Sequence, residues 1–341
     1  MKKRAEELNI KIGKMEKGPR NKITDVPGVT VGHCTIRNEL NKTGVTVIMP
    51  HQENIFNKKP IAGSYVLNGF GKTTGLIQVS ELGNIETPIA LTSTLNVGLV
   101  MDAIVGYTLN NATEEITSVN PVVMECNDGR INSPFNRAVK AEHVFSAIES
   151  ASEDFEEGDV GAGTGMICYG LKGGIGSASR KIPLGNGYTV GVLVQTNFGS
   201  LDDLMVCGKN VGNEIKHLGE NKEEKGSVIV VMATDLPLSS RQIIRAIKRI
   251  PVGLARTGSF TGHGSGEVFL GFSTTNTVNM NEKEDIVSFG ALNEDKMNIV
   301  FRAVAEATEE AVINSMLMAD SVVERNGKTV KSLNEFIELL K

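Results

Sequence analysis

Gly226-Ser227 stands where the chain changes character: the charged run Lys222-Glu223-Glu224-Lys225 ends, and the apolar run Val228-Ile229-Val230-Val231-Met232-Ala233 begins. The second run has the length and composition of a buried strand. A serine on the first residue of such a strand, behind a glycine and an exposed loop, is a place where a chain can cut itself. The cut would leave Ser227 as a new N-terminus carrying a hydroxyl and a free α-amine, nucleophile and base on one residue. The same junction is also ordinary turn chemistry, since Gly-Ser commonly precedes a strand.

A second unusual stretch runs Arg256-Thr257-Gly258-Ser259-Phe260-Thr261-Gly262-His263-Gly264-Ser265-Gly266-Glu267 and leads into another strand. Ser265 and Glu267 are two apart, so on a strand both side chains face one side. A hydroxyl and a carboxylate so placed can orient an amine or a nucleophilic hydroxyl; a glycine-rich turn with a solvated Glu fits the same letters. Conventional hydrolase signatures are missing: there is no G-x-S-x-G elbow and no H-E-x-x-H. The five histidines fall in no motif, so the base of a hydrolase built on this chain is not expected to be histidine. The glycine clusters Gly161-Ala162-Gly163-Thr164-Gly165 and Lys172-Gly173-Gly174-Ile175-Gly176 resemble phosphate-cradling loops. Neither ends in Gly-Lys-Ser/Thr, and neither follows a clear strand and opens a helix. Close backbone packing or a substrate-lining loop fits them better than nucleotide binding.

The elements that must position these residues alternate loosely. Strands are expected at 45–49, 88–94, 121–125, 188–195, 228–233 and 268–273, and helices at 96–109, 138–152, 239–250 and 295–319. Residues 201–218 are expected to be partly helical, and a last helix to begin near Ser332. Residues 1–20 are expected to be a mobile arm, 60–70 to be loop-like, and 219–225 an exposed loop. Several strands have no helix between them, which favours sheets covered by helices over a purely doubly wound fold. The chain has 341 residues, 22% of them charged and 40% apolar, the balance of an ordinary globule. A net charge of −5 without a long basic run argues against a nucleic-acid partner. The longest apolar runs are strand length, far short of the ~20 residues of a membrane helix. Cys34, Cys126, Cys168 and Cys207 form no CxxC pair, and His33-Cys34 has no second cluster at zinc spacing. A cytoplasmic chain with reduced thiols is expected.

The junction Gly226-Ser227 through Asp235-Leu236-Pro237, the run Gly253 to Glu267 and the opening Ile23-Thr24-Asp25-Val26-Pro27-Gly28 to His33 together resemble the L-aminopeptidase/D-esterase (amidase) family, which includes the β-peptidyl aminopeptidases. Further stretches match in order: Gly69 to Gly75, Asp159 to Gly165, Lys172 to Gly176 and Val194-Gln195-Thr196-Asn197-Phe198-Gly199. The resemblance spans about residues 20 to 341.

It implies a four-layer αββα sandwich, shared with ornithine acetyltransferases and similar in its layers to N-terminal-nucleophile hydrolases. It also implies self-cleavage of one domain, 21–341, between Gly226 and Ser227, giving segments 1–226 and 227–341. Carried over by position, Ser227 is the nucleophile, Ser265 and Glu267 are its partners, Asn197 is the oxyanion donor, and Glu125 holds the free ammonium of the substrate. The substrates implied are small peptides, amides or esters; no cofactor or metal is implied, and a homo-oligomer is. One departure touches substrate preference: Cys126-Asn127-Asp128-Gly129 has Asn127 where many relatives carry a tyrosine. Asn127 keeps a hydrogen-bond donor but not the ring. Cys126 has no sequence neighbour that would lower its pKa and is not expected to be a nucleophile. Two rivals stay open: an acyltransferase of the ornithine acetyltransferase type, whose nucleophile is threonine, and a small-molecule binder that keeps the fold without the chemistry.

Overall fold

The computed structural model describes residues 2–216 and 226–340. The expected exposed loop at 219–225 and the end of the 201–218 segment lie outside the described residues. In chain order the long strands are β1 (Thr30–Arg37), β2 (Lys42–Met49), β3 (Lys58–Gly69), β4 (Ile89–Ser93), β5 (Val122–Cys126), β6 (Ile175–Ile182), β7 (Tyr188–Asn197), β8 (Ser227–Thr234) and β9 (Gly266–Asn279). The helices are α1 (Leu76–Leu82), α2 (Val97–Asn110), α3 (Ala141–Glu149), α4 (Val211–Lys216), α5 (Ser240–Ile247), α6 (Ile250–Arg256) and α7 (Met297–Leu317). One sheet has the order β1-β2-β4-β5; the other has the order β3-β9-β8-β7-β6.

Three buried clusters define the layers. Ile229, Val231 and Ala233 of β8 pack with Ile48, Leu91 and Met124 of the opposite sheet. Their strand neighbours Val228, Val230 and Met232 point the other way, into a cluster with Ile243 and Ile247 of α5 and Val304 and Ala311 of α7. Val47, Ala90 and Val123 pack outward against Val100 and Ile104 of α2 and Val144 of α3. The order is therefore helices, sheet, sheet, helices, as the sequence led us to expect. Covered on both faces, β8 has to be continuously apolar. Burying each such Val or Ile stabilises the fold by roughly 1.5–3 kcal/mol. Among the described residues no helix is long and apolar enough to cross a membrane.

Two expectations are corrected. Residues 60–69 are not a loop: they belong to β3, paired antiparallel with β9, and Phe70 alone of the expected loop lies outside the strand. Glycine reads there as a breaker, but Gly63 marks a close approach, since a Cβ on it would stand 2.6 Å from the Ile244 side chain of α5. Nor is the segment before residue 20 a loose arm. The Arg4 guanidinium donates to the carbonyls of Arg20, Asn21 and Ser177 at 2.7–2.8 Å and pairs with Glu157 at 2.8 Å. Farther along, the amides of Lys14 and Met15 donate to Glu306, and the Ile12 carbonyl accepts from the fully buried Arg180. Arg180 also pairs with Glu310 of α7 at 2.7 Å. Arg4 closes a buried ionic network, while Lys3, Glu6, Glu7, Lys11, Lys14 and Glu16 of the same segment are exposed.

Glycine-rich 161–165 lies against β1 and β2 and is fixed there by a histidine. His33 Nε2 is 3.0 Å from the Glu156 carbonyl, which can only accept, so this nitrogen carries the hydrogen. Nδ1 then accepts from the Thr46 hydroxyl at 2.9 Å, and Thr46 Oγ1 accepts the Ala162 N–H at 3.0 Å. The chain of bonds requires neutral His33, and burial pushes its pKa down to about 4. In the unfolded chain the ring titrates near the ordinary ~6.5, so the unfolded state binds more protons between these values. His33 thus contributes stability that is present above about pH 6.5 and lost as pH falls toward about 4. Urea melts near neutral pH and in the acid range should diverge less for His33→Gln than for the wild type; an unchanged difference would assign the acid loss to other groups.

Candidate active site

Strand register assembles the site. In the five-stranded sheet Ser227, first residue of β8, lies opposite Asn197, last residue of β7, on one side, and opposite Gly266, first residue of β9, on the other. Ser265 and Glu267 flank Gly266, and the Ser265 hydroxyl donates to Glu267 Oε1, both side chains being buried. Three segments distant in sequence therefore meet at one sheet end. The Ser265 turn is clamped from β3, where Asn68 Nδ2 donates to the carbonyls of Gly262, at 3.0 Å, and Ser265. Gly226 admits no substitute: a Cβ there would stand 1.8 Å from the Asn197 carbonyl oxygen. The Gly226 carbonyl accepts the Gly266 N–H at 3.1 Å, which holds the Gly226–Ser227 peptide against the strand end.

Asn197 is held at both ends of its carboxamide. Its Oδ1 accepts the Ile167 N–H at 3.0 Å, and its Nδ2 donates to the Asn127 carbonyl at 3.0 Å. The first bond fixes which end is the NH₂. One Nδ2 hydrogen is used by Asn127, which leaves the other for a ligand. Asn127 itself is exposed, and its Oδ1 accepts the Gly129 N–H at 3.0 Å, closing the turn. Its contribution to this geometry is thus the main-chain carbonyl that orients Asn197, available from any residue type.

Glu125 approaches from the other sheet, near the end of β5. Its Oε1 accepts the Lys72 N–H at 2.9 Å, and its Oε2 accepts from the Thr94 hydroxyl. Both donors are uncharged, so the carboxylate is oriented without being neutralised. Ser227, Asn197, Glu125, Asn127 and Gly226, with Phe70, line one cleft of about 290 Å³. Ser265 and Glu267 are not in its lining. A hydroxyl-bearing strand end, an amide donor and a buried carboxylate around one cleft suit acyl transfer from an amine-bearing substrate.

Sequence reasoning missed the residues that orient the others. Thr94 and the Lys72 amide aim Glu125, and Asn68 clamps Ser265; Lys72 fell in the family-like stretch Gly69 to Gly75 but was given no role there, no motif marks Thr94, and Asn68 fell in a segment expected to be a loop. Cys126 stands as expected. It is fully buried, and its Sγ lies 3.5 Å from the Ser227 carbonyl and 3.6 Å from that of Gln195. Burial pushes its thiol well above the ordinary range, and burial raises Cys168 to about 12. Iodoacetamide on the native protein should therefore label exposed Cys207 and spare Cys126 and Cys168, with hydrolysis unaffected. Peptide mapping after labelling checks this, and modification of Cys126 with loss of turnover would contradict it.

Comparison with known proteins bears on this geometry. The profile of the family described as peptidase family S58 matches residues 21–330. A β-peptidyl aminopeptidase, BapA, of Sphingosinicella microcystinivorans is 38% identical over 93% of this chain and 86% of that protein. The solved structure of a β-aminopeptidase of Burkholderia sp. superposes with a TM-score of 0.93 at 40% identity, covering 99% of this chain and 98% of that one. The L-aminopeptidase D-Ala-esterase/amidase of Ochrobactrum anthropi, described as a prototype of the serine aminopeptidases and a variant of the Ntn hydrolase fold, superposes with a TM-score of 0.88 at 32% identity, over 98% of this chain and 99% of that one.

Proposed function

This chain belongs to peptidase family S58 and is a hydrolase of the aminopeptidase type, and we propose that its nucleophile is Ser227, freed by scission of the Gly226–Ser227 bond. The observation that carries this is the placement of Ser227 on the first residue of a central strand, between Asn197 and the Ser265-Gly266-Glu267 segment. In the uncut chain the Ser227 hydroxyl attacks the Gly226 carbonyl carbon, whose oxygen already accepts from Gly266. The C–N bond breaks, the Ser227 nitrogen takes the proton, and water hydrolyses the resulting ester. The segments 1–226 and 227–341 stay together because β8 is paired on both sides.

The freed α-amine has an ordinary pKa of about 7.7–8.0, so it accepts the hydroxyl proton near neutral pH. Ser265 links it to Glu267, whose charge favours the ammonium formed during attack. Asn197 offers its second Nδ2 hydrogen to the oxyanion, and Glu125 pairs with the substrate's ammonium, restricting cleavage to residues with a free amine. The acyl group passes to Ser227 Oγ, the leaving amine or alcohol takes the proton, and water releases the acid. The substrates are small peptides, amides or esters. Asn127 borders the cleft and bears on substrate preference through its missing ring. We place the enzyme in the cytoplasm, where four unpaired cysteines persist, and as a homo-oligomer, supported by the exposed apolar side chains of Val66, Phe70, Ile77 and Leu82 around edge strand β3 and α1.

Denaturing intact-mass spectrometry tests the core of this reading. Wild-type protein should give two masses split between Gly226 and Ser227, and Ser227→Ala one full-length mass. Scission of the Ser227→Ala protein at the same bond would refute self-processing, and a single uncut mass for both would favour a binder. On aminoacyl p-nitroanilides, Glu125→Gln should lower kcat/KM by roughly 10–100-fold, the cost of losing a charged hydrogen bond. Unchanged kinetics would remove Glu125 as the amine anchor.

A further inference from the structure

Lys172 is fully buried and has no role in the chemistry above. It sits on the short antiparallel pairing of Ile167–Cys168 with Leu171–Lys172. Its Nζ donates to three main-chain carbonyls: Gly173 at 2.7 Å, Met166 at 2.9 Å and Gly163 at 3.1 Å. Three acceptors match the three N–H bonds of an ammonium, whereas a neutral amine has two. The two glycine clusters make the cradle possible. A Cβ on Gly163 would stand 2.5 Å from the Ile175 nitrogen, and one on Gly173 would stand 2.4 Å from the Thr196 carbonyl oxygen. Main chain packed this closely delivers carbonyls from both clusters to one point. Burial carries a cost, drawing Lys172 down to about 7 although the negative charge of Asp159 favours its proton. An apolar side chain of similar length would fill the space without that cost.

The Met166 carbonyl and the Ile167 N–H are the two ends of one peptide group. That N–H is the donor to Asn197 Oδ1. The Asn197 carboxamide ends in turn at Nδ2, the proposed oxyanion donor. Two conjugated amides thus stand in series between a buried cation and the position where negative charge develops. The geometry points to Lys172 as a positioning residue for the oxyanion site, its ammonium holding and polarising the Met166–Ile167 peptide and, through it, the Asn197 amide. Electron density drawn toward Met166 O makes the Ile167 N–H a better donor, and density drawn toward Asn197 Oδ1 does the same for Nδ2. Lys172 takes no part in proton transfer and touches no substrate. The inference rests on the role proposed for Asn197.

The test uses processed enzyme, with rates normalised to Ser227 sites titrated by an acylation burst and folding followed by thermal melting. Lys172→Gln, which keeps a neutral donor, should lower kcat roughly tenfold, a fraction of the 10²–10³ that losing an oxyanion donor outright costs. Lys172→Met should lower it further, and KM should change little in both. Lys172→Gln is the reference should the methionine variant fail to fold. In an Asn197→Ala background, adding Lys172→Gln should cost almost nothing more, because the relay has lost its end. An unchanged kcat in Lys172→Gln, or the same loss with and without Asn197, overturns the inference and leaves Lys172 a packing residue. No loss in Asn197→Ala by itself would instead overturn the oxyanion role beneath it.

Discussion

Everything at the site depends on the register of β8 between β7 and β9. The Ser227–Asn197 and Ser227–Gly266 pairings put a hydroxyl, an amide and a serine–glutamate pair at one strand end. A slip of one residue would turn Ser227 to the opposite face and drive the Val228 series and the Ile229 series into each other's layers. The two dry interfaces that β8 serves, one against the other sheet and one against α5 and α7, forbid that slip. The geometry at this strand end is therefore held by hydrophobic burial on both sides of the strand.

Around that fixed strand, polar groups are oriented by main chain more than by other side chains. Asn197 is set by the Ile167 amide and the Asn127 carbonyl, Glu125 partly by the Lys72 amide, and Lys172 by three carbonyls. Backbone groups have little freedom to rearrange during a reaction, which is the preorganisation that acyl transfer requires. The arrangement also explains the abundance of glycine: carbonyls and amides can converge only where side chains do not hold the main chains apart.

Much of this was legible in the sequence. The apolar run after Ser227 announced a strand covered on both faces, and the spacing of Ser265 and Glu267 announced a shared side. The roles proposed for Asn197 and Glu125 came from family resemblance, since an Asn or Glu at a strand end has no signature of its own. The rest was hidden for physical reasons. Strand β3 carries glycines that read as breaks, yet Gly63 is there to let α5 approach. The N-terminal segment is as polar as a mobile tail, and its partners Glu306 and Glu310 lie some three hundred residues away on α7. Lys172 follows a residue pattern that resembles a phosphate loop, and only the three carbonyls around its ammonium show that it serves the fold's own main chain.

Gly226 has a consequence of a different kind. It lies in the lining of the cleft, pressed against the Asn197 carbonyl, with its own carbonyl already held. On the self-scission proposed above, the uncut chain is its own first occupant, and the newborn carboxylate of Gly226 is the first product that has to leave. Latency under that proposal requires no separate inhibitor: a freshly synthesised molecule is silent toward outside amines until its own severed end leaves the cleft.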